Sequence, residues 1–130
     1  MTKWKDEQLK GLLATAFEGG VNYWAWIDRY EYAAGRTAAD YEPAAFTDPD
    51  ADWWPEYCLV PLDDGAVVLS DVETEEVFGQ RLDRSALLRG LDLTAELYPS
   101  RWARIREQNY DAEDADVAVQ LALFGQLVYG

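Results

Sequence analysis

Leu9, Leu12, Leu13, Ala16 and Phe17 recur at the i, i+3, i+4, i+7, i+8 spacing of one helix face, which predicts an amphipathic first helix. Gly19-Gly20 is expected to end it, supplying the positive φ that a helix C-terminus favours. Asn22 can cap a second helix in which Tyr23, Trp26, Ile27 and Tyr30 line one side and Trp24 points elsewhere. The aromatics of residues 22–32 also suit a strand, so helix is the first reading there and strand the second.

Residues 35–56 read as a long loop punctuated by Gly35, Pro43, Pro49 and Pro55, and long loops in small domains are often binding segments. Tyr57 to Leu62 and Ala66 to Ser70 flank Asp63-Asp64-Gly65, a hairpin signal, and Val77 to Leu82 predicts a third short strand. Ser85 is expected to cap a helix with Leu87, Leu88, Leu91, Ala95 and Tyr98 on one face, and Pro99 to open a short one carrying Trp102 and Ile105. Asp111 or Asp114 begins the last helix, whose residues 117–129 are apolar nearly all round. A helix of that kind too short to span a bilayer belongs in the centre of a core. The expected fold is α+β: one compact domain over residues 1–130, mainly helical, with a small antiparallel sheet of two to three strands and an apolar C-terminal core helix.

Composition narrows the chemistry. The chain of 130 residues has no histidine and a single cysteine, which excludes histidine-based nucleophilic catalysis, histidine-ligated metal and an internal disulfide. Cys58, flanked by Tyr57, Leu59 and Val60, reads as a buried inert thiol on a strand. Carboxylate-only catalysis is possible in principle, but 25 acids guarantee close pairs by chance, so the chain is read as non-enzymatic and without cofactor or metal. The amino terminus carries no apolar targeting core, and no run approaches a membrane span, so a soluble, intracellular protein of the cytoplasm is expected.

Charge is the strongest signal. Against the 25 acids stand 11 bases, a net of −14. Residues 37–80 hold twelve carboxylates and no base, whereas residues 81–106 hold six arginines against three acids. Nucleic acid and anionic membranes are repelled by such a chain; a basic protein is attracted. Within the acidic middle, Asp48, Asp50 and Asp52 alternate and lead into Trp53-Trp54 and Glu56. In an extended chain such carboxylates lie about 7 Å apart, near the phosphate spacing of a nucleic-acid strand. These six residues are the candidate partner-binding site, with the tryptophans as anchors. The opposing possibility is a solvated loop whose tryptophans fold back over the sheet. A calcium loop fails, because its glycine position is Trp53 and its glutamate position Leu59.

A second candidate is the corner Glu18, Gly19, Gly20, Asn22, Tyr23 and Trp24. Backbone N–H groups at the start of a following helix could hold an anion there, and the aromatics could stack on a base. A packed helix–turn–helix corner explains the same residues, and no basic residue accompanies the glycines. Arg101, Arg104 and Arg106 form a third group. Arg101 and Arg104 share a helix face and either grip a phosphate or pair with the protein's own carboxylates.

Three stretches together carry a resemblance: EGGVNYW at 18–24, GLDLTAELYPSRW at 90–102, and DADVAVQLALFGQLVYG at 114–130. In these the chain resembles a widespread family of small proteins encoded by bacteriophages and mobile elements, while the acidic stretch 37–56 has no counterpart in that pattern. No catalytic residues carry over. What the resemblance implies is context, since small phage accessory proteins often antagonise host defence. The leading expectation is therefore an inhibitor of the anti-CRISPR or anti-restriction kind that mimics nucleic acid toward a basic effector. The alternatives are a sponge for a nucleotide immune signal at the Gly-Gly corner, with an arginine from 101–106, and a phage assembly factor.

Overall fold

The computed structural model describes residues 3–41 and 54–130. Helix α1 (Asp6–Thr15) buries Leu9, Leu12 and Leu13, the face its periodicity predicts, and runs into one π-helical turn over Ala16–Gly20. Strand β1 (Ala25–Glu31) follows, and a 3-10 turn at Ala38–Tyr41 closes the first described segment. The second begins with the short helix α2 (Glu56–Leu59) and a 3-10 turn at Val60–Leu62. Strands β2 (Ala66–Asp71) and β3 (Val77–Leu82) lead to helices α3 (Arg84–Leu97), α4 (Pro99–Arg106) and α5 (Ala112–Phe124).

The class is α+β, with a three-stranded antiparallel sheet in the order β1-β2-β3. Residues 66–70 of β2 are buried in succession, as befits a central strand covered on both faces, while β1 and β3 flank it with partly exposed patterns. β1 pairs Ala25 with Asp71 and Glu31 with Ala66, and a bulge between Ile27 and Arg29 sets Asp28 out of register. Its carboxylate accepts a bond from Ser70 Oγ at 3.1 Å.

Four local expectations are corrected. The segment after the glycine corner is a strand, not a helix. Residues 57–62 are helical turns rather than a strand: Pro55 occupies the N-cap, and Pro61 has no N–H to give a ladder. The hairpin is consequently β2–β3. Asp83, not Ser85, caps α3, accepting from the Ala86 N–H at 2.8 Å. Cys58 is buried as expected, on α2 rather than a strand, and burial pushes its thiol up to about 12.

Helix α5 is the centre of the molecule, with every residue from Asp114 to Leu123 buried. Asp111 caps it reciprocally with Asp114, and Gly125, at φ 71°, ends it in the left-handed conformation. Two close approaches seat it. A Cβ on Gly90 of α3 would lie 2.5 Å from the Ala118 carbonyl oxygen, and one on Gly20 would lie 2.7 Å from the Ala112 carbonyl oxygen.

Candidate functional site

The glycine corner and the C-terminal stretch, about a hundred residues apart in the chain, meet at one place. Asp116, 5 % exposed, is the hub. Its Oδ1 accepts from Trp24 Nε1 at 2.7 Å and from Gln120 Nε2 at 3.0 Å, and its Oδ2 accepts from Tyr23 Oη at 2.6 Å. Gln120, one turn further along α5, turns its amide to the tail: Oε1 accepts from the Val128 and Tyr129 N–H groups at 2.8 and 2.9 Å. The Tyr129 ring stacks on Trp24 with centroids 4.7 Å apart, and its hydroxyl donates to Asp71 at 2.7 Å. Burial, reinforced by the adjacent carboxylates Asp116 and Asp71, pushes the Tyr23 and Tyr129 phenols up to about 12. Both therefore act as hydrogen-bond donors across the physiological range.

Beside this network lies an open groove of about 600 Å³, lined among others by Gly19, Gly20, Tyr23, Arg101, Glu113 and Asp116. Tyr23 stands 54 % exposed there, whereas Trp24 is buried beneath. Glu18 is exposed, and Asn22 borders a separate cleft of about 360 Å³ with Trp26 and Tyr57. The expected anion seat at a helix N-terminus is absent, because no helix follows the corner. Neither Gly19 nor Gly20 has a positive φ, and the Val21 and Trp24 N–H groups are spent on the Ala16 and Val21 carbonyls. Gly20 is required instead for close approach to α5.

The arginine group is an internal clamp. Arg101 Nη1 and Arg104 Nη2 both donate to Asp114 Oδ1 at 2.8 Å, and Arg104 Nε donates to Oδ2 at 2.8 Å. Chiefly through the Arg104 hydrogen bonds, this holds the fully buried Asp114 carboxyl down at about 2. Arg106 bonds the Lys3 carbonyl and lies over the Trp4 ring at 4.6 Å.

Of the partner-binding candidates, Asp48, Asp50, Asp52 and Trp53 lie outside the described residues. Trp54 packs against the core, with Lys10 Nζ 5.8 Å from its ring; its indole Nε1, buried, finds no hydrogen-bond partner among the described residues. Glu56 accepts from Tyr32 Oη at 2.9 Å. Asp40 accepts from the Thr37 N–H at 2.7 Å, and the described acids that flank β2 fall into two groups. Asp63 and Asp64 precede β2, with Asp63 bonded to Tyr41 and 3.4 Å from Arg36. Asp71, Glu73, Glu75 and Glu76 sit at the opposite end, the last three exposed. The length of β2 sets the groups roughly 17 Å apart, so these carboxylates form two clusters and not one plate.

The chain matches no protein-family model, no curated protein and no solved structure. Among the described residues no helix is long and apolar enough to cross a membrane.

Proposed function

We propose that this chain is a non-enzymatic accessory protein of the phage type that antagonises a host defence system, anti-CRISPR or anti-restriction in kind, by docking an acidic surface on the nucleic-acid-binding face of a basic effector. The observation that supports this reading is where the positive charge goes. Six of the eight arginines are held by the protein's own carboxylates: Arg29 and Arg81 by Glu31, Arg36 by Asp63, Arg84 by Asp6, and Arg101 and Arg104 by Asp114. Bases spent internally leave the carboxylate excess to face solvent, which steers encounter with a basic surface and sets its salt dependence. A phosphate-bearing ligand finds little to hold it, since among the described residues Arg101 is the one cation lining the groove and is already engaged by Asp114.

The test replaces Asp48, Asp50 and Asp52 together by Asn and measures binding to a panel of purified CRISPR and restriction nucleases as ionic strength is raised. The native chain is expected to lose affinity about tenfold or more between low and physiological salt, and the variant to bind more weakly with a shallower slope. Equal affinity and a flat salt response in both would remove the reading.

A further inference from the structure

Asp116 is a buried carboxylate with no positive partner. Among the described residues no lysine or arginine forms an ion pair with it; Arg101, which lines the same groove, and Arg104 are both committed to Asp114, two residues earlier. Its charge is balanced only by three neutral donors, from Tyr23, Trp24 and Gln120. A carboxylate offers about four acceptor sites, and Oδ2 accepts only the Tyr23 hydroxyl among the described residues, so one site is left unfilled on a carboxylate that lines the groove. Glu113 lies on the same wall, exposed, and its Oε1 is 3.7 Å from Arg101 Nη2. The groove thus carries two carboxylates against one guanidinium that Asp114 already holds.

We infer that this groove receives a guanidinium: an arginine side chain presented by the basic partner protein. The inference rests on the reading of the chain as a docking protein and names the site at which one partner residue is read. Charge favours a cation over a nucleotide in this groove. Shape favours arginine over lysine, because a planar fork can bond Asp116 and Glu113 together and lie against an exposed aromatic ring. Tyr23 supplies that ring. A cation here also returns part of what burying an unpaired carboxylate costs, and the groove, at about 600 Å³, is open enough to admit a side chain from outside.

The Trp24 indole N–H, bonded directly to Asp116, is the reporter. The 15N-labelled chain is titrated with N-acetyl-arginine amide, with the isosteric uncharged N-acetyl-citrulline amide, and with AMP. Arginine is expected to displace the Trp24 indole and Gln120 amide resonances saturably, with citrulline weaker by about tenfold or more. Glu113→Gln, at an exposed position, should weaken the arginine response by about threefold with an unchanged thermal midpoint. Asp116→Asn should abolish the response. If that variant does not fold, Tyr23→Leu replaces it and should weaken binding similarly. No displacement by millimolar arginine, an equal response to citrulline, or displacement by AMP instead overturns the inference. A silent groove alongside salt-steep nuclease binding discards the arginine site alone; flat nuclease binding discards the docking reading itself.

Discussion

Two carboxylates two residues apart on α5 are removed from water and compensated by different means. Asp114 is clamped by two guanidiniums; Asp116 has only neutral donors. For Asp114 the consequence is a pH dependence of fixed sign. Its folded value of about 2 lies below the ordinary 3.8, so the folded state binds the proton less well than the unfolded chain. The stabilisation is complete above about pH 4, amounts to about 2 kcal/mol, and is lost as pH falls from 4 toward 2. Asp114→Asn should therefore lower the urea midpoint most at neutral pH, with the gap to the native chain closing below pH 4. A gap independent of pH would show that the clamp contributes no charge-linked stability. The clamp was half legible in the sequence, since Arg101 and Arg104 at i, i+3 announce a shared face. The Asp116 hub was not, because nothing local connects Tyr23 or Trp24 to a residue more than ninety positions away.

Among the elements, helices with a clean 3.6-residue period were readable and the segments with mixed signals were not. Tyr23, Trp26, Ile27 and Tyr30 are spaced like a helix face. In the fold, the bulge at Asp28 breaks the alternation that would have identified β1, and Trp26 and Tyr23 point outward. Likewise, Tyr57 to Leu62 have the side chains of a strand, but Pro55 and Pro61 bracket a helical turn. The position of α5 was evident from its uniform apolarity, whereas the glycine that lets α3 reach it was not. Gly90→Ala should cost about 1–3 kcal/mol, because the new methyl meets backbone atoms of α5 and neither helix can yield without moving. Gly79→Ala, with nothing within 4 Å of the added carbon, should stay within about 0.5 kcal/mol. Equal midpoints for both variants in chemical denaturation would contradict the close α3–α5 approach.

For the whole molecule, composition foretold the sign of the surface but not its layout. The described acids flanking β2 fall at its two ends, and four of the guanidiniums that follow in sequence, Arg81, Arg84, Arg101 and Arg104, are each held by a particular carboxylate rather than spread as a basic patch. Among the described residues, acids left without a close cation stand outward at the β2–β3 turn, Glu73, Glu75 and Glu76, and Glu113 is exposed at the groove. The sequence motifs at the glycine corner and the C-terminal stretch were each recognisable, yet only the fold joins them through Asp116 and Tyr129. A surface of this kind stands in for nucleic acid only if the two cannot occupy the partner together. The decisive measurement is competition: a complex of this chain with a nuclease from the panel is titrated with that nuclease's own nucleic-acid substrate. Mutually exclusive binding, with the apparent Kd for the chain rising in proportion to substrate, is the predicted result; a stable ternary complex of chain, nuclease and substrate would contradict it.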